Sequence, residues 1–216
     1  MAAAKAAPNS VGDTWTWTVL DADSKMILSY FIGGRDGECA MWFVDDLRSR
    51  LAGRIQLTSD GHKAYLEAVE GAFGDDIDYT ILHKVYGASP ESMKGKYSPA
   101  ECVGAEKRRI TGEPDLKHVS TSYVERSNLT MRMHMRRFTR LTNGFSKKVE
   151  NHAYAVALHM MYYNFVKLHT KLKVTPAMAA GVSKKLWEIG DIVARVEEEE
   201  TKIDRKRGPY KKIDFK

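Results

Sequence analysis

Alternation opens the readable part of the chain. In DTWTWTVL, beginning at Asp13, the apolar Trp15, Trp17 and Val19 interleave with Thr14, Thr16 and Thr18, the period of two that marks a strand with one buried face. A second strand is predicted at about residues 26–32. The link DADSK is short and rich in turn formers, so the two strands should form an antiparallel hairpin with Asp21 and Asp23 in its turn. The period then lengthens. Cys39, Phe43, Leu47 and Leu51 recur four residues apart, which predicts a helix with Asp36 as its N-cap. RIQLTSDG reads as a short strand ending in Asp60-Gly61, and Tyr65, Ala68, Val69 and Ala72 then recur at helical spacing. A further strand is predicted around residues 77–85.

Between residues 88 and 118 periodicity breaks down. Pro90, Pro99, Pro114 and several glycines predict a long surface insertion. Helical spacing returns near Thr121. One stripe joins Val124, Met131, Met135, Phe138 and Thr142 and should dock. Another joins Glu125, Leu129, Arg132, Arg136 and Arg140 and should look outward. The mostly apolar KKVENHAYAVALHMMYYNFVKLH predicts another long, largely buried helix containing His152 and His159, and TPAMAAG starts a further helix with Thr175 as cap and Pro176 in the first turn. Beyond EEEETKIDRKRGPYKK charges run in blocks with little to bury, which predicts a mobile tail. The domain division expected is 1–12 leader, 13–181 α/β domain, and 182–216 helix plus tail.

Composition narrows the class. At 216 residues and 43% apolar content the chain can bury a core, and the α/β order of elements suits one domain. A net charge of +6 favours a polyanionic partner. Cys39 and Cys102 are the two cysteines, at no zinc-ligand spacing, which fits a reducing cytosol. No long apolar run and no charged leader followed by one is present, so neither a membrane span nor secretion is expected and a cytoplasmic location is.

The charge distribution changes the picture more. Glu125 is followed by Arg126, Arg132, Arg136, Arg137, Arg140, Lys147 and Lys148 before the next acid, Glu150. The element order would bring Asp60 and Glu125 together at the carboxyl edge of a sheet, where open α/β folds place ligands. Two such carboxylates suit hard cations such as Mg²⁺, which in pairs about 3.5–4 Å apart promote phosphoryl transfer. Arginines one and two turns beyond Glu125 on its own face would give phosphates a track. Plainer readings stand beside these. Asp60 can cap the following helix, Glu125 can be a first-turn acid favoured by the helix dipole, and the arginines can be a solvated face. Met131, Met133 and Met135 read as core and groove fillers, and the histidines, His62 and His169 included, form no compact ligand set.

LTSDGHKAYLEAV, TSYVERSNLTMRMHMRRFTRLTNGFSKKVENH and YYNFVKLH with VTPAMAAG together resemble the catalytic domain of bacterial insertion sequence one-type transposases, a branch of the DDE transposases, from about Thr14 to Gly181. The resemblance implies a ribonuclease H-like mixed α/β sheet flanked by helices, with a helical C-terminal extension. It further implies that Asp60 and Glu125 are the second and third acidic ligands of a pair of Mg²⁺ or Mn²⁺ ions. Asn128 and the basic residues Arg126, Arg132, Arg136, Arg137, Arg140, Lys147 and Lys148 then stand near DNA. The partners it implies are double-stranded DNA, as transposon ends and target, and further copies of the chain when active. The chain departs from the pattern at its start. The first aspartate of the family lies on an opening strand in an Asp-Glu-x-Trp-like stretch, and no such stretch occurs here; neither Asp13 nor Asp21 matches it. That strand would form the centre of the sheet, between the hairpin and the Asp60 strand, and the alanine-rich leader is a poor β substitute. Two functions follow as expectations: an impaired strand-transfer enzyme, or a non-catalytic DNA-binding remnant that occupies transposon ends or interferes with a full-length partner.

Overall fold

The computed structural model describes residues 14–87, 102–139, 144 and 148–202. Strands β1 (Trp15–Leu20) and β2 (Ile27–Gly33) form the expected antiparallel hairpin, Trp17 facing Phe31 in register. Asp21 closes its turn by accepting the Ser24 N–H at 2.9 Å. Helix α1 (Gly37–Ser49) follows, capped by the Asp36 carboxylate, which accepts the Cys39 N–H at 2.9 Å. Its Ala40, Phe43, Val44 and Leu47 are buried, a stripe at helical spacing.

Strand β3 (Ile55–Ser59), helix α2 (Ala64–Phe73) and strand β4 (Ile77–Tyr86) make a parallel crossover, with Leu57 opposite Tyr79. The predicted insertion is partly ordered, which corrects the reading of residues 88–118 as loop. Cys102–Thr111 is strand β5, antiparallel to β4. Its sequence hides it because nearly every residue is exposed on this edge, so Glu106, Lys107, Arg108 and Arg109 replace any apolar alternation. Residues 88–101 lie outside the described residues.

Helix α3 (Ser122–His134) is shorter than predicted. Met135 turns to an extended conformation and Arg136–Phe138 form a separate 3₁₀ turn. The inward stripe nevertheless holds: Met131 and Met135 are buried, Val124 and Phe138 half-buried, while Glu125, Leu129, Arg132 and Arg136 are exposed. Met133, expected to fill core or groove, is instead 76% exposed. Thr142 and Arg140 fall outside the described residues. Helix α4 (Val149–Met161) ends in a π-turn at Tyr162–Val166, and it is not largely buried as predicted. Val156, His159 and Met160 are inside, but Val149, Tyr154 and Leu158 are exposed. Thr175 caps the short helix α5 (Pro176–Ala179) by accepting the Met178 N–H at 3.2 Å. Helix α6 (Ile189–Lys202) includes the four successive glutamates, so that stretch is helical; residues 203–216, like leader residues 1–13, are not among those described.

Two apolar clusters hold these elements. The first joins Trp17 of the hairpin to Phe43, Val44 and Leu47 of α1, Val69 of α2 and Ile77, Tyr79 and Ile81 of β4. The second packs Ile27 against Met131, Met135, Val156, Met160 and Tyr163. Trp17 and Val19 join the first and Leu20 the second, so β1 is packed on both faces. Buried Asn164 acts as a strand neighbour: Ile27 N–H donates to its Oδ1 at 3.0 Å, and its Nδ2 donates to the Ile27 carbonyl at 2.9 Å. The result is a mixed α/β fold whose described strands form two sheets, β1-β2 and β3-β4-β5, rather than one. Residues of β1 and β3 border a common cleft.

Candidate cation and phosphate site

The cleft between the sheets encloses about 520 Å³. Asp60 and Glu125 both line it, together with Arg35, His62, Asn128 and Arg132. Chain direction explains why. β3 is parallel to β4, so its carboxyl end emerges at the sheet edge and sets Asp60 there, the usual ligand position of α/β crossovers. The Thr111–Thr121 connection then starts α3 over the same edge, which puts its first-turn acid on the cleft wall.

Asp60 Oδ1 accepts the His62 N–H at 3.1 Å and so fastens the turn into α2. The helix itself has Lys63 at its cap position with no side-chain bond, so Asp60 closes the turn rather than capping the helix. Nearby, Ser59 Oγ and the Tyr79 hydroxyl are hydrogen-bonded at 2.7 Å. Burial, helped by the Asp60 charge, raises the Tyr65 phenol well above its ordinary value, and Tyr79 rises for the same reasons. Both phenols therefore stay protonated beside the carboxylate.

Glu125 is more heavily engaged. Lys84 of β4 places its ammonium 2.5 Å from each carboxylate oxygen, and the Thr121 hydroxyl donates to Oε1 at 2.7 Å. Burial pushes the Glu125 carboxyl up, but the hydrogen bonds from Lys84 and Thr121 outweigh it and hold the group below its ordinary value. The same bond raises Lys84. Half the Glu125 side chain is solvent-accessible, so this is a solvent-screened surface pair.

The basic residues divide. Arg126 and Arg132 lie exposed on α3, and Arg132 shares the cleft with Glu125. Arg136 and Arg137 instead border a second cavity of about 640 Å³ with His134, His159 and Ile192. Lys148 stands at the N-terminal boundary of α4. Arg140 and Lys147 are outside the described residues. Asn128 faces inward and accepts a hydrogen bond from the Thr18 hydroxyl at 3.1 Å, bracing α3 against β1.

Sequence reasoning missed Lys84, Thr121 and Arg35. Thr121 carried a faint signal, four residues before Glu125 and one helical turn away. Lys84 carried none, because its role depends on β4 running past the start of α3.

Two carboxylates, water and a substrate phosphate match the way Mg²⁺ is commonly held. Among the described residues no group of three or more His, Cys, Asp or Glu side chains could hold a metal. Asp60 and Glu125 are two carboxylates lining one cleft, and the Glu125 oxygens are already held by the Lys84 ammonium. Replacing Lys84 by Met should raise the Glu125 pKa and tighten Mn²⁺ binding several-fold, since a cation no longer displaces an ammonium; a Mn²⁺ titration of Lys84→Met checks this.

Comparison with models of known families, with curated proteins and with solved structures finds no match for this chain. No helix among the described residues is long and apolar enough to cross a membrane.

Proposed function

We propose that this chain is a DNA-processing domain of the DDE transposase type, with a ribonuclease H-like arrangement of its α/β elements. It binds double-stranded DNA through α3 and holds a divalent cation between Asp60 and Glu125. The observation that supports the reading is that the β3-terminal acid, the α3-initial acid and Arg132 line one cleft. The element order, hairpin, helix, strand, helix, strand, supports it as well.

A hard cation bound there would supply Lewis-acid stabilisation to a phosphoryl oxygen. The chain's own residues supply the rest. Arg132 and Lys84 offer positive charge for the DNA phosphates, and Thr121 orients the Glu125 carboxylate through its hydroxyl. The apolar walls from Phe43, Val44 and Leu47 limit water on the far side of the cleft. In its active form such a domain works as an oligomer, pairing two DNA ends.

Two carboxylates are fewer than the three that a two-ion site of this type uses, so little or no strand transfer is expected. The test is a strand-transfer assay on terminal-repeat DNA with Mg²⁺ or Mn²⁺. Any residual product should vanish in Asp60→Ala and in Glu125→Ala; product that survives both substitutions refutes the assignment, and robust turnover by the parent refutes the impairment. The second reading, a DNA-binding protein without catalysis, is favoured by the Lys84 ammonium occupying the Glu125 oxygens. Under it, DNA binding persists and is indifferent to divalent ions.

A further inference from the structure

We infer that the second cavity, bordered by the end of α3, by α4 and by α6, is a binding site for a small amphipathic anion, one carboxylate or phosphate head on an apolar body. No residue lines both this cavity and the Asp60–Glu125 cleft, so the inference stands apart from the cation site. The break in α3 builds it. The helix stops at His134, Met135 turns extended, and the 3₁₀ turn that follows brings Arg136 and Arg137 to the cavity wall.

The charge of the lining is one-sided. Two arginines and two histidines border the cavity, and no aspartate or glutamate among the described residues does. Asp191, next to Ile192 in the chain, is already engaged by the Lys185 ammonium and the Glu188 N–H. Arg137 Nη1 is buried and has no hydrogen-bond partner among the described residues. Leaving a buried guanidinium N–H unbonded is costly, and an anionic oxygen is the acceptor whose charge and geometry suit it. His159, held neutral at pH 7 by burial, can donate a ring N–H to the same head without adding charge.

Apolar groups specify the body. Met135 and Ile192 are buried in the lining and Ala155 and Tyr162 half-buried, while Leu158 and Ile189 are exposed, which sets them at its rim. A volume of about 640 Å³ suits a small molecule, and mostly apolar walls with a few convergent polar groups are the usual make-up of such pockets. DNA phosphates would meet the arginines but leave these walls unfilled, so the lining favours a small anion with an apolar body over a nucleic acid.

The experiment uses the full chain and the fluorescent probe anilinonaphthalene sulfonate, an aromatic body with one anionic head. Its emission should rise saturably. Decanoate or decyl phosphate should displace it, the tighter of the two identifying the head, while decanol at equal concentration should not. Arg137→Gln should weaken probe binding by on the order of tenfold. Leu158→Trp, at an exposed position that accommodates bulk, should weaken it as well by filling the rim, with circular dichroism confirming the fold of each variant. Should Arg137→Gln fail to fold, Leu158→Trp decides. Non-saturable emission, equal displacement by decanol, parent-like binding in either folded variant, or displacement by a short DNA duplex but not by decanoate would each overturn the proposal. The probe titration contains neither DNA nor metal, so its failure is separate from failure of the cation site.

Discussion

Between pH 7 and pH 4 the protein is expected to lose about 3 kcal/mol of stability through His159 alone. This side chain is 7% exposed on the inner face of α4. Burial, with the neighbouring charges of His134 and Lys167, lowers its pKa from 6.5 to about 4. The groups facing it are His134 of α3, 5.7 Å between ring centroids, Tyr163 of the π-turn, and Lys167, which itself contacts His134 at 3.2 Å. A depressed histidine is neutral in the fold and takes up its proton more readily when unfolded. In the window from 6.5 down to about 4 the unfolded chain binds more protons, so stability falls as pH falls. The carboxylates held low, such as Asp21, Asp46 and Glu125, act in the same direction but from their ordinary values of 3.8 and 4.5 downward, so they overlap only the acid end of this window. Urea unfolding at a series of pH values reads the effect. His159→Leu should flatten the slope across the window, leaving the smaller share of His134, His152 and His169, which are lowered too. An unchanged slope in that variant would show that His159 is not the titrating group.

Removing two arginines from α3 is expected to weaken DNA binding by roughly 10- to 100-fold near 0.1 M salt. Arg126 and Arg132 are both exposed on this helix, and each phosphate that is no longer neutralised should reduce the salt slope by about 0.9. The Arg126→Ala, Arg132→Ala double variant should therefore show a log–log slope shallower by about 2, with the fold unchanged by circular dichroism. Asp60→Ala should bind DNA nearly as the parent does. Parent-like salt dependence in the arginine variant would remove α3 from the interface.

Local rules carried most of the fold. Alternating Trp and Thr placed β1, Asp36 and Thr175 capped the helices they were expected to cap, and the Asp60-Gly61 turn fell at the end of β3. Failures came where tertiary context overrides pattern. β5 is an exposed edge whose charged residues gave no period to read, and its partner β4 alone makes it a strand. The break at Met135 separates two stretches that fit one helical wheel, because Met135 stays on the inward stripe whether or not the helix continues. Helix α4 presents apolar residues such as Leu158 to solvent.

The placement of some candidate residues was legible as well. That Asp60 and Glu125 share a cleft follows from element order, and the exposure of Arg132 from its place on the wheel. Lys84 was beyond reach of the sequence, since no spacing relates it to a residue 41 positions away. The regular helical track of arginines also failed to persist, as the 3₁₀ turn carries Arg136 and Arg137 to the second cavity.

Mn²⁺ binding to the parent chain, to Asp60→Ala, to Glu125→Ala and to the double variant, followed by electron paramagnetic resonance, tests the shared-cation claim most directly. Each single substitution is expected to weaken binding by on the order of tenfold or more, and the double variant to lose little beyond the singles, because one ion loses its site either way. Parent-like affinity in either single variant would contradict the account and leave the two acids as unrelated turn and helix-start residues.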